Sequence, residues 1–188
     1  IDDGADALEC DIRLPSDGTM VCVHDRTIKR TSRGSGSVSG RDIEELREHD
    51  YSNRSWYDFE DPDSPERTQL LTLKRLLITA LERNPSIRFA IETKHPVRYG
   101  GYVEREFADV LARFSLDTPG RDGVQPVRMM SFSWLAVRRM QRLAPLVPTV
   151  FLMDRIWWPY RDGSVPSGVA AAGPSINVLR RYPNYVQR

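Results

Sequence analysis

The segment Ala7-Leu8-Glu9-Cys10-Asp11-Ile12-Arg13-Leu14 alternates polar and apolar residues, the period of a strand with two different faces. Glu9, Asp11 and Arg13 share one of those faces. The following Pro15-Ser16-Asp17-Gly18-Thr19 carries an Asp-Gly turn signal, so a hairpin into a second strand, Met20 to Asp25, is predicted. A two-residue turn on Asp17-Gly18 sets His24 opposite Asp11 and Arg26 opposite Glu9. The same register puts Cys10 and Cys22 on opposite faces, as free thiols.

Further along, Arg30 to Gly40 reads as a flexible Gly/Ser loop leading into a short helix, Arg41 to His49, with Ser39 or Asp42 as its cap. Residues 51–68 lack periodicity and read as an irregular surface excursion. Leu73, Leu76, Leu77, Ala80 and Leu81 then recur at helical spacing after Thr72, and Asn84-Pro85 stops the run. A strand at Arg88 to Lys94 follows. The alternation repeats as helix Tyr102 to Phe114, strand Pro126 to Phe132, helix Trp134 to Leu143 and strand Thr149 to Met153. The tail, Gly173 to Arg181, reads as a short helix. This pattern predicts an α/β fold with a largely parallel sheet, whose functional residues lie near the C-terminal ends of strands. Glu92, Lys94 and Ser131 are at such ends.

Composition narrows the function. The 188 residues are 40% hydrophobic and 28% charged, which suits one globular domain spanning 1–188. The 27 basic and 26 acidic side chains nearly cancel. No chain-wide basic field exists to hold nucleic acid or an anionic membrane surface, so an anionic ligand needs a local site. No apolar run reaches the ~20 residues of a transmembrane helix, and no secretion signal opens the chain, which predicts a cytoplasmic protein. The start at Ile1 rather than Met is expected to follow a missing upstream segment.

The candidate chemistry lies in the strands. Glu9, Asp11 and Glu92 are carboxylates where carboxylates are costly unless paired, hydrated or bound to a cation. Oxygen-only ligation points to Mg²⁺ or Ca²⁺, although a lone Glu-x-Asp is more often a solvated strand face. Lys94 projects to the side of Glu92 and serves either a phosphate oxygen or the balance of the three carboxylates. His24 suits a general acid, since histidine holds both protonation states near neutrality; its structural alternative is a bond to Asp11 or Asp25. Asp25 reads as an orienting residue, with Arg26 and Arg30 as steering or pairing groups. His49 lies on an exposed helix end, and His95 follows Lys94 near the site. Trp56, Phe132, Trp134, Trp157 and Trp158 are either core or pocket wall, with Phe132 the leading wall residue.

The order Gly4-Ala5-Asp6-x-x-Glu9-x-Asp11, Asp17-Gly18, Val21-x-x-His24-Asp25, Arg30-Thr31, Leu71-Thr72-Leu73 and Ile91-Glu92-Thr93-Lys94 resembles the glycerophosphodiester phosphodiesterase family. Lys94-His95-Pro96 and Ser131-Phe132-Ser133 extend the resemblance over nearly the whole chain. It implies a TIM-type (β/α)8 barrel that hydrolyses glycerophosphodiesters to sn-glycerol 3-phosphate and an alcohol. It also implies a divalent cation on Glu9, Asp11 and Glu92, with His24 as one of two catalytic histidines.

Two family motifs have no counterpart. The His-Arg-Gly strand with the other histidine would precede Ile1, and the Trp-Thr-x-Asn strand would follow Arg188. The resemblance therefore implies an incomplete barrel, truncated at both ends, with hydrolysis expected of the complete protein and not of these 188 residues alone. Two rivals stand beside it: a related phospholipase C/D-like barrel phosphodiesterase, and a degenerate barrel that binds a phosphorylated ligand without catalysis.

Overall fold

Alternation in the sequence becomes two faces of one sheet. The computed structural model describes residues 1–51, 69–156, 160 and 163–187. Six strands, β1 (Ala7–Arg13), β2 (Val21–Cys22), β3 (Arg88–Thr93), β4 (Val127–Ser131), β5 (Thr149–Met153) and β6 (Ala171–Pro174), form a sheet in the order β2-β1-β3-β4-β5-β6. All neighbours are parallel except β1 and β2. The helices are α1 (Ile43–Arg47), α2 (Leu73–Arg83), α3 (Tyr102–Arg113), α4 (Trp134–Leu143) and α5 (Ile176–Arg181). None of the described helices is long and apolar enough to cross a membrane.

Register assigns every strand residue to a face. Cys10 pairs with Ile91, Ile91 with Met129, and Met129 with Thr149. This row belongs to the face covered by helices, where Ile12, Phe89, Ile91, Val127, Met129 and Phe151 are buried. Leu73 and Leu77 of α2, Val103, Phe107 and Leu111 of α3, and Ala136, Val137 and Met140 of α4 fill the other side of that layer. Each large side chain here contributes about 1.5–3 kcal/mol of transfer free energy. Asp11 pairs with Glu92, Glu92 with Met130, and Met130 with Val150, and this alternate row forms the opposite face.

The helix boundaries follow the local chemistry. Thr72, Ser133 and Ser175 accept from the backbone N–H three residues on, opening α2, α4 and α5. Asp42, one of the two predicted caps, closes a full capping box with Glu45 at α1. A second, smaller core of Val21, Val23, Ile28, Val38, Ile43, Leu46 and Leu70 lies beneath the loop between β2 and α2. The predicted excursion over 51–68 falls outside the described residues, apart from Tyr51.

Three expectations are corrected. The hairpin register is shifted by one: Ile12 lies opposite Cys22 and Arg13 opposite Val21. Asp17 is the reason, because its carboxylate accepts from Thr19 N at 3.2 Å and Thr19 Oγ1 at 3.0 Å, while Ser16 N donates to Arg41 O. These bonds hold Leu14–Met20 as a wide loop rather than a two-residue turn. Cys10 and Cys22 consequently share a face, although both are free thiols as expected. Second, β2 ends at Cys22, so His24 sits in a loop and not on a strand. Third, the tail contains a strand, β6, before its helix. Its Ala-Ala-Gly-Pro lacks any β-branched signal, and a Cβ on Gly173 would stand 2.5 Å from Leu152 Cδ2, so small size at that position serves close packing.

Candidate active site

The carboxylate face gathers its charge through register alone. Glu9 and Asp11 are two residues apart on β1, and Asp11 is the direct partner of Glu92 on β3. Adjacent parallel strands bring such partners to within about 5 Å. Glu92 is 6% exposed and Lys94, just past the end of β3, 9%. The Lys94 ammonium donates to Glu92 Oε2 at 2.9 Å and stands 3.1 Å from Asp11 Oδ1. It takes the balancing position that the sequence offered as one of its two roles.

One ammonium does not neutralise three carboxylates. Burial, then the charges of Asp11 and Glu92, push the Glu9 carboxyl above its ordinary value. Glu92 is likewise raised, chiefly by burial, with the Lys94 bond opposing the rise. Among the described residues, no three His, Cys, Asp or Glu side chains are arranged as a ready metal cage. The donor chemistry nevertheless fits a hard divalent cation: all-oxygen ligands and negative charge that Lys94 leaves uncompensated.

His24 reaches the same end of the sheet from the loop after β2. Its Nδ1 lies 2.7 Å from Asp25 Oδ1, and Arg30 Nε donates to Asp25 Oδ2 at 2.6 Å. Arg30 and His24 hold the Asp25 carboxyl down to about 2. With one ring nitrogen committed to Asp25, the other is left for a ligand, and the ring is 59% exposed. Arg13 Nε anchors the loop by donating to the His24 carbonyl at 3.0 Å. The predicted pairing of Arg26 opposite Glu9 disappears with the register shift.

Other sequence candidates divide clearly. Ser131 is fully buried on the helix side, where its hydroxyl donates to Thr93 O at 2.9 Å and accepts from Ser133 N at 3.1 Å. It ties β4 to β3 and does not meet the carboxylates. Phe132, at the C-terminal end of β4, is 49% exposed. Trp134 packs edge-on against Phe151, with ring centroids 5.9 Å apart, and so belongs to the core. His49 is half-buried beside Gly34 rather than exposed. Trp56, Trp157 and Trp158 lie outside the described residues.

His95 leads to a group that sequence reading missed. Its Nε2 lies 2.8 Å from Glu104 Oε1, and Arg139 approaches Glu104 Oε2 at 3.4 Å. Glu104 is fully buried in the first turn of α3. The signal was available, since Glu104, Phe107 and Leu111 fall on one helical stripe, so an acid there must be paired. Through this cluster the segment after Lys94 is fastened to α3 and α4.

Comparison with known proteins places this arrangement. The chain is 42% identical, over 99% of its length, to a Mycobacterium tuberculosis protein named "Probable glycerophosphodiester phosphodiesterase 1", of which it spans 68%. It is 29% identical over 80% of its length to a glycerophosphodiester phosphodiesterase of Bacillus subtilis, spanning 50% of that protein. Its fold matches an Oleispira antarctica phosphodiesterase solved in complex with the product sn-glycerol-3-phosphate, with a TM-score of 0.77 and 17% identity, covering 99% of this chain and 70% of that one. A glycerophosphodiester phosphodiesterase from Parabacteroides distasonis gives a TM-score of 0.72 at 20% identity, covering 99% and 67%. The chain thus matches the α/β fold of these structures over about two-thirds of their length. The model of the glycerophosphoryl diester phosphodiesterase family matches residues 1–188, and the chain belongs to that family.

Proposed function

We propose that residues 1–188 are part of one catalytic domain that hydrolyses glycerophosphodiesters to sn-glycerol 3-phosphate and an alcohol. The observation carrying this reading is the meeting of Asp11, Glu92 and Lys94 at the C-terminal end of the sheet, with His24 oriented by Asp25 at the same end. In barrels of this type, chemistry gathers at that end. The Oleispira antarctica relative, which carries sn-glycerol-3-phosphate, supports the product class.

Glu9, Asp11 and Glu92 would hold Mg²⁺ or Ca²⁺, which supplies positive charge to the phosphoryl oxygens as they gain negative charge during attack. Lys94 balances the carboxylates in the free site and turns toward a phosphate oxygen when the diester binds. His24, fixed by Asp25, delivers a proton to the leaving oxygen as its P–O bond breaks, while the attacking water forms the new P–O bond and gives up the proton that restores His24. Phe132 forms an apolar wall beside the glycerol or the alcohol.

The test is release of sn-glycerol 3-phosphate from glycerophosphocholine by the full-length protein, with added divalent cation and after chelation. Cation-dependent release supports the proposal, and no release under any cation overturns it.

A further inference from the structure

Glu104 is a buried acid that the proposed chemistry does not use. It lies in the first turn of α3, fully closed to solvent, and two groups from other segments hold it: His95 Nε2 at 2.8 Å and Arg139 Nη1 of α4 at 3.4 Å. A Cβ on Gly101 would stand 3.0 Å from Arg139 Nε, so the glycine before α3 leaves the guanidinium its room beside the helix start. Burying such a cluster brings little net stability, because desolvation offsets much of the attraction, and apolar side chains of similar volume hold a fold as well or better. What directional bonds add is one fixed geometry.

The geometry fixed here is that of Lys94. Strand β3 ends at Thr93, so Lys94 is the first residue beyond it and His95 the second. Lys94 N donates to Ile12 O at 3.2 Å, which ties its backbone to β1 on one side. On the other side, His95 ties the chain to α3 one residue later. Four residues further on, Tyr99 OH donates to Ser39 O at 2.6 Å and limits the segment at its far end. Between these holds, Lys94 Nζ reaches Glu92 Oε2 at 2.9 Å and Asp11 Oδ1 at 3.1 Å. The place of its backbone therefore sets how one ammonium spans carboxylates on two strands.

We propose that His95 and Glu104 are positioning residues for the hydrolysis: by holding the segment after β3 against α3, they set the place from which the Lys94 ammonium reaches the carboxylates and then the phosphate. This rests on the hydrolase reading above.

A double-mutant cycle separates this role from simple stabilisation, since a residue that acts through Lys94 has nothing to act on once Lys94 is replaced. In the full-length protein, below the melting range of every variant, H95A lowers kcat on glycerophosphocholine by about tenfold, less than the ~100-fold that a full 1 Å displacement can cost. H95Q, which keeps a nitrogen donor on a side chain of similar reach, recovers most of that loss. In a K94Q background the same H95A change stays within about twofold. E104Q goes through the same cycle and decides the matter if H95A does not fold: its loss, smaller because the amide keeps one bond, likewise vanishes in K94Q. Equal factors in the two backgrounds, or an unchanged kcat with Lys94 in place, overturn the proposal. Should the unaltered protein hydrolyse no glycerophosphodiester, the hydrolase reading fails by itself, and melting temperatures decide the positioning: a smaller drop from H95A in K94Q than with Lys94 supports it, and equal drops overturn it.

Discussion

Lys94 Nζ lies 2.9 Å from Glu92 Oε2, two residues apart in the chain and both nearly closed to solvent. The same ammonium stands 3.1 Å from Asp11, so it occupies the electrostatic position that the proposed cation would compete for. Replacing it separates two effects. In Lys94→Gln the metal-free protein keeps buried carboxylates without their counter-charge and loses about 3 kcal/mol of stability. Added Mg²⁺ or Ca²⁺ recovers more of that loss than it adds to the unaltered protein. Thermal melts with and without cation check this, and equal cation responses would contradict it.

Acid acts on the site in the opposite sense to its usual action on an ion pair. Partial burial and the neighbouring carboxylates raise Glu9, which stays exposed, while burial raises Glu92, so the charged form of Glu92 opposes folding at neutral pH and this penalty disappears as pH falls through its raised value. Cation binding requires both groups charged. Affinity for the cation therefore begins to fall at a higher pH than it would for ordinary carboxylates, which titration calorimetry across the weakly acidic range measures.

Asp25 contributes with the normal sign. Its carboxyl is depressed to about 2 by Arg30 and His24, so its stabilisation is complete above the ordinary carboxylate value and is lost as pH falls toward 2. The side chain is 27% exposed, and screening limits the contribution to about 1 kcal/mol. Asp25→Asn should narrow the stability difference between neutral and strongly acidic solution by that amount in chemical denaturation. No change would remove the proposed hold on His24.

Glu104 should be the costliest acid to neutralise outside the site. It is fully buried with His95 and Arg139 as partners, so Glu104→Ala leaves both without that partner and costs about 1–3 kcal/mol. A denaturant midpoint close to that of the unaltered protein would show that the cluster is not a fastening.

Cys10 should resist alkylation. Its hydrogen bond with Cys22, then burial, push the thiol far above the ordinary range. Cys22→Ala removes the larger cause and speeds modification of Cys10 by iodoacetamide, followed by mass spectrometry. Equal rates would mean that burial alone protects it.

The parts of this fold readable from sequence were those set by periodicity and caps. Helix α4 and strand β5 lie where apolar spacing put them, and Thr72 and Asp42 cap as their chemistry allows. The hairpin register was not readable, because Asp17 and Ser16 bond outside the turn and widen it. Strand β6 was hidden for a different reason: its glycine and alanines answer to the space left by Leu152, which only tertiary packing defines. Asp11 and Glu92 meet through β1–β3 pairing, a contact between distant segments that local periodicity does not specify. The buried stripe of α3 marked Glu104 as an acid needing partners, but did not name them: His95 lies in the loop before the helix and Arg139 in α4.

The account stands or falls on Glu92. In the full-length protein, Glu92→Gln should weaken divalent-cation binding by about 10–100-fold and abolish release of sn-glycerol 3-phosphate to a matching degree. Cation affinity and turnover measured on the same preparation give the answer: joint loss is the predicted result, and turnover retained at the level of the unaltered protein would contradict the assignment of this carboxylate face as the catalytic site.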